Sequence, residues 1–168
     1  MSTAIRIYEH GDYNACRALW VELTQRHREI YEDPGIGGDD PGKGFDAYLA
    51  NPNRRATWVA ELDGKVVGIA GLICHGEEAE VEPVVVTAVH RSQGIGRSLV
   101  DHAVGHAREM GVRFLNVRPV ARNAEAISFF VEAGFNLIGH VDLFQDLSPS
   151  AGRQWKPGIV IHGKSLRY

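Results

Sequence analysis

The sequence predicts an α/β domain, and three observations carry that reading. Strand-like and helix-like segments alternate along the chain. Asp63-Gly64 separates two apolar runs as a hairpin turn, and "RSQGIG" sets two glycines between an apolar run and a helical pattern. With 168 residues, 44% of them hydrophobic, the chain is long enough for one buried core and short for two, so a single domain over 1–168 is expected.

"TAIRIYE" places Ile5 and Ile7 two apart, as in a strand. "DYNACRALWVELTQRHREIY" carries Cys16, Leu19, Trp20 and Leu23 at helical spacing behind a cap at Asp12. Residues 32–44, "EDPGIGGDDPGKG", break both periodicities and suit an exposed loop, and "FDAYLAN" suits a short second helix. "ATWVAELDGKVVGIAGLIC" reads as two strands about Asp63-Gly64. "AEVEPVVVTAV" continues as a strand in which Pro83, which has no N–H for the ladder, implies a bulge. Leu99, Val100, Ala103, Ala107 and Met110 trace the apolar face of a third helix that closes at Gly111. After the strand "RFLNVRPV", Ala126, Phe129, Phe130 and Ala133 share one face of a fourth helix ending at Gly134. "FNLIGHVDLFQDL" and "GIVIHGKSLRY" read as two more strands around a polar loop at Ser148 to Lys156, bringing the strands to about seven.

Several functions are disfavoured at once. A net charge of −3 and a pI near 6.2 give no field suited to a phosphate backbone, so nucleic acid is not an expected partner. The N-terminus has no apolar leader segment and no apolar run reaches membrane length, which predicts a soluble, cytoplasmic protein. Cys16 and Cys74 are far apart and lack CxxC partners, so neither a disulfide framework nor a zinc site is expected and both are assigned to the core. His102 and His106 lie at i and i+4, a chelating spacing, yet only Asp101 stands near them; a solvated helix face is the simpler assignment, and no metal is expected.

The glycines of "RSQGIG" have a chemical reading. A strand entering a glycine turn and then a helix aims unpaired N–H groups and the positive end of the helix dipole at one spot, which suits an anion. Glycine at 94 and 96 removes Cβ atoms that would hold a phosphate off the amides of Gln93, Gly94, Ile95, Gly96 and Arg97, and Arg91 and Arg97 add positive charge. The third glycine of a dinucleotide fingerprint and the Lys-Ser/Thr of a P-loop are missing.

"RSQGIG", residues 91–96, fits the (Q/R)xxGx(G/A) motif of the GNAT superfamily of acyl-CoA-dependent N-acetyltransferases, and "NAEAISFFVEAGF", residues 123–135, is similar to that family's Asn-x-x-Ala…aromatic…Gly-Phe segment. The resemblance covers almost the whole chain. It implies a three-layer fold around a mixed, mostly antiparallel sheet, with acetyl-CoA as acyl donor. Backbone amides from Gln93 through Ser98 would hold the pyrophosphate, and Val84 and Val86 would pair with the pantetheine like an added strand. The family's fourth and fifth strands splay apart at this place. Asn123 matches the cofactor-side asparagine, and Ala126 and Phe130 the positions lining the thioester. Many members carry a tyrosine where this chain has Phe130, which has no proton for a departing thiolate.

Transfer to an amine needs a base, since an alkyl ammonium near pKa 10 must be deprotonated before it attacks. In a regular strand Glu80, Glu82, Val84 and Val86 share a face; Glu82, nearer the expected opening, is the first candidate and Glu80 the second. The Val86 N–H is the candidate for polarising the thioester carbonyl. Glu29, Glu32, Asp33, Asp39, Asp40 and Asp46 cluster around the first long loop, which the resemblance places beside the acceptor cleft; an acidic rim there favours a small cationic amine as acceptor over a protein N-terminus or lysine. An acyl-CoA-binding sensor with little turnover is the alternative class, and a homodimer is left open. Trp20, Trp58 and Trp155 are assigned to the core or its rim, Trp155 near the acceptor.

Overall fold

A computed structural model describes residues 3–147 and 155–168. The chain falls into two compact units, residues 1–118 and 119–168.

The first unit holds strands β1 (Ala4–Ile7), β2 (Arg54–Leu62), β3 (Lys65–His75), β4 (Glu78–Val86) and β5 (Phe114–Asn116), with helices α1 (Tyr13–Tyr31), α2 (Lys43–Leu49) and α3 (Ile95–Glu109). The sheet order is β1-β2-β3-β4-β5, antiparallel except for the parallel β4–β5 pair. Asp63 and Gly64 both have positive φ, so the expected hairpin joins β2 to β3.

Helices cover both faces. Cys16 and Leu19 of α1 and Phe45 and Tyr48 of α2 pack on Val59, Ile69, Ile73 and Val85. Leu99, Val100, Ala103 and Ala107 of α3 are buried on the other face, where a Cβ at Gly68 would meet Leu99 and Val86. Met110, assigned to the same stripe, is instead exposed, because α3 ends one residue before it. Trp58 is buried between the ring edges of His102 (5.3 Å) and His106 (5.2 Å), so the i, i+4 histidine pair clasps an indole. Both cysteines are buried and free, and desolvation pushes the Cys16 thiol up to about 12.

The second unit holds α4 (Ala124–Glu132) and the hairpin β6 (Pro157–Ile161) and β7 (Lys164–Arg167). Its sequence reading needs two corrections. "GIVIHGKSLRY" is two strands, because His162 and Gly163 both take positive φ and turn the chain. "FNLIGHVDLFQDL" forms no strand: its alternating apolar residues find no ladder, and Leu137, Ile138, Leu143, Phe144 and Leu147 are exposed. Of the polar loop, residues 148–154 lie outside the described residues. Trp155 donates its ring N–H to Asp146 and packs edge-on to Phe144.

Candidate active site

The sheet opens along β4. Parallel pairing with β5 covers only Glu78↔Phe114, Ala79↔Leu115 and Glu80↔Asn116, and beyond Glu80 no strand among the described residues pairs with that edge. Thr87 donates its N–H to the Val67 carbonyl at 2.9 Å, on the β3 side. Groups facing one neighbour recur at every second residue, so Val84 and Val86 turn their backbones to the open edge. The Val86 carbonyl is engaged there by Arg91 Nε at 3.0 Å, which makes Arg91 a prop of the strand end as well as a positive charge.

Pro83 sits in the bulge its missing N–H implies. The β3–β4 register passes from Leu72↔Val81 to Ala70↔Val84, so Gly71 alone faces Glu82 and Pro83. Gly71 is required, because a Cβ would collide with the Tyr48 hydroxyl and the Glu82 carbonyl. That hydroxyl is bonded to Thr57 Oγ1 at 2.7 Å, and burial pushes it up to about 12.

The extra residue corrects the expectation that Glu80, Glu82, Val84 and Val86 share a face. One inserted residue reverses the alternation for everything after it. Glu80 pairs with Ile73 and faces α1 and α2, whereas Val84 and Val86 pair with Ala70 and Gly68 and face α3. Glu82, on the bulge, is exposed, and Glu80 is buried. Arg118 Nη1 approaches Glu80 Oε2 at 3.1 Å. Burial raises the Glu80 carboxyl above its ordinary value, and the nearby Glu82 charge adds to this, against the opposing pull of Arg118 and His75. Sequence reasoning ranked Glu80 second because a bulge's phase is visible only in the register.

Beyond β4, a single 3-10 turn at Ala88–His90 leads into the glycine turn. Glu22 of α1 accepts the Thr87 hydroxyl at 2.8 Å and the Ala88 N–H at 3.0 Å. The chain's own carboxylate thereby fills the N-terminus of that turn, a contact with no signature in the sequence. The next N-terminus, that of α3, begins at Gly94 with φ 82°, a left-handed conformation that suits glycine. The amides of Ile95 and Gly96 have no carbonyl inside the helix to bond, which is the geometry of an anion cradle. Ser98, counted among the cradle amides, instead donates its N–H to the Gly94 carbonyl at 3.0 Å. Gln93 Nε2 reaches the Val89 carbonyl at 3.4 Å, and Arg97 Nε bonds Asp101 at 2.8 and 3.0 Å.

The loop after α1 is tied down. Arg17 bonds both oxygens of Asp40 at 2.7 and 2.6 Å, Tyr13 donates to Asp46 at 2.6 Å, and Arg28 donates to the carbonyls of Ile36 and Gly38. Asp33 Oδ1 accepts the Gly35 N–H at 2.9 Å, so three of the clustered acids, Asp33, Asp40 and Asp46, serve the loop and its flanking helices. In the second unit, Asn123 Oδ1 accepts the Ala126 N–H at 3.1 Å and caps α4, and the Phe130 ring packs edge-on to Phe129 and Phe135. Among the described residues no group of three or more His, Cys, Asp or Glu is placed to hold a metal ion, and no helix is long and apolar enough to cross a membrane.

A mixed α/β sheet whose β4 edge is unpaired beyond Glu80 and is followed by a glycine-capped helix N-terminus is the class of fold the first unit defines. Residues 16–135 match the acetyltransferase (GNAT) family, and the chain belongs to it. It is 32% identical to a streptothricin acetyltransferase of Streptomyces lavendulae over 64% of this chain and 56% of that one. It is 33% identical to an N-acetyltransferase of Escherichia coli, YjgM, over 68% of this chain and 79% of that one. The chain thus spans about half the length of some of its relatives. The fold matches the structure of AAC(6')-Iy in complex with the bisubstrate analogue CoA-S-monomethyl-acetylneamine, at TM-score 0.64 and 17% identity, covering 88% of this chain and all of that one.

Proposed function

We propose that the chain, as one catalytic domain, transfers an acetyl group from acetyl-CoA to a primary amine on a small cationic molecule. The observation that carries this reading is the open β4 edge from Val81 to Val86, which runs into the Gly94-capped N-terminus of α3. The amides from Gln93 to Arg97 receive the pyrophosphate, and Val84 and Val86 offer their backbones to the pantetheine. With Glu80 as the base, the Val84 N–H replaces that of Val86 as the group that polarises the thioester carbonyl, because it faces the same open edge and Val86 lies about 16 Å along the strand from Glu80.

Glu80 replaces Glu82 as the first candidate for the base, because it is buried at the vertex where β4 and β5 part and its carboxyl is raised toward working pH. It takes a proton from the acceptor ammonium. The neutral nitrogen attacks the thioester carbon, the C–N bond forms as the C–S bond breaks, and the second proton the nitrogen sheds passes through water to the departing thiolate. Relatives named as streptothricin acetyltransferases support a small-molecule acceptor.

The test is release of free CoA against a panel of amines, alongside calorimetric titration with acetyl-CoA. Turnover with a small amine, and loss of CoA binding in a folded Gly96→Val protein, are the expected results. Tight CoA binding with no turnover across the panel overturns the transferase in favour of a CoA-binding module. Unchanged affinity in Gly96→Val overturns the cradle.

A further inference from the structure

Asn116 ends β5 at the point where the sheet opens. Its ladder partner is Glu80, and the two form the last rung before β4 runs on alone. Partners in a parallel ladder share a face, so both side chains belong to the α1–α2 side. The Asn116 side-chain oxygen Oδ1 is shut off from water and has no hydrogen-bond partner within the protein. A buried amide oxygen without a donor carries its desolvation cost unrelieved, and native chains satisfy nearly all such atoms. Its neighbour in the rung is a buried carboxylate, with Glu82, Arg118 and His75 as the other charged or titratable groups around it. An orphaned acceptor beside an anion matches a ligand that brings both N–H donors and positive charge.

We propose that Asn116 receives the acceptor: Oδ1 accepts one N–H of the primary amine while Glu80 faces the same nitrogen. This rests on the transferase reading above and names the part of the site that recognises the amine. A bulky tertiary amine lacks the N–H groups for both partners and is rejected, whereas a primary ammonium on an unhindered carbon satisfies both.

Two substitutions test the assignment, with spermidine, neamine and free lysine as probes. Asn116→Leu removes the oxygen at similar volume, and Asn116→Asp keeps an acceptor in place. In Asn116→Leu the amine KM is expected to rise roughly ten- to a hundredfold, the size of a lost hydrogen bond to a charged group, with CoA affinity held within about twofold. Its melting temperature should equal or exceed that of the parent, because an unsatisfied polar atom gives way to an apolar one. Asn116→Asp should hold the amine KM within a few fold. An unchanged amine KM, or a lowered melting temperature, overturns the proposal; the oxygen would then have an internal donor such as protonated Glu80. If the parent protein binds a probe by calorimetry in the presence of CoA but releases no free CoA when given acetyl-CoA and that probe, the transferase reading fails and Asn116 is judged on that dissociation constant. If it neither acetylates nor binds any probe, both fail.

Discussion

Asp12 and Glu80 are carboxylates with 8% and 6% of their surface exposed, and the chain treats them oppositely. Asp12 accepts from Nη1 and Nη2 of Arg6 at 2.8 Å each and from the Glu9 N–H at 2.9 Å, so the hydrogen bonds from Arg6 hold its carboxyl below the ordinary range despite burial. Glu80 has Arg118 at 3.1 Å, and burial raises it. The first pins β1 to the turn before α1. The second stands at the open end of a strand ladder, where an incoming donor would complete it. Buried charge alone thus does not mark a site; buried charge left short of partners does.

The largest effect expected from breaking this contrast is on turnover. Glu80→Gln should lower kcat by about 10²- to 10⁴-fold, the usual worth of a positioned base, while calorimetric CoA affinity stays intact. Glu82→Gln should cost far less. A larger loss in Glu82→Gln would show that the exposed carboxylate on the bulge is the base.

Asp12→Asn should lose about 2 kcal/mol of stability at pH 7, the scale of breaking a partly buried ion pair, with no change in CoA affinity. Because its folded pKa is depressed, the stabilisation is present above the unfolded value and is lost as pH falls through the folded one. Urea melts of the two proteins should therefore converge in strong acid. A constant gap down to low pH would mean that packing, not charge, holds Asp12.

Glu80 has the opposite sign. Its raised folded pKa gives stability that is fully present below the unfolded value and is lost as pH rises through the folded one. Glu80→Gln should match the parent in acid and become the more stable protein at neutral pH, by less than the Asp12 loss. Lower stability of Glu80→Gln at pH 7 would show that Arg118 outweighs burial.

The smallest effect concerns Glu22, which props the segment ahead of the glycine turn. Glu22→Ala should weaken CoA binding by about three- to tenfold, the worth of one or two modest hydrogen bonds, and leave kcat nearly unchanged. A fall in kcat with unchanged CoA affinity would place Glu22 on the acceptor side instead.

The parts legible in the sequence are those whose chemistry is local. "RSQGIG" announces a strand-to-helix turn through its own backbone needs, and Asp63-Gly64 announces its hairpin for the same reason. Pro83 announced a bulge, yet the face taken by Glu80 depends on counting pairs across β3, which no single strand reveals. Asp12 stands at the expected N-cap position of α1, yet its carboxylate bonds Arg6 and the Glu9 N–H rather than an amide of the helix's first turn. His162-Gly163 is not one of the strong hairpin pairs, and its turn shows only in the positive φ of both residues, so two strands stand where the sequence predicts one. Residues 135–147 show the converse, a clear alternation of apolar side chains in a segment that forms no ladder.

The bulge opposite Gly71 splits β4 into two lengths that answer to different masters. Residues before it set their even-numbered side chains against α1 and α2; residues after it set theirs against α3. A strand without the extra residue would tie both sets to one alternation, and any drift in one half would be felt in the other. Under the proposed function, a lineage can rewrite the residues around Glu80 to suit a new amine while the Val84–Val86 edge stays as it is, and deleting Pro83 would weld the two halves back into one.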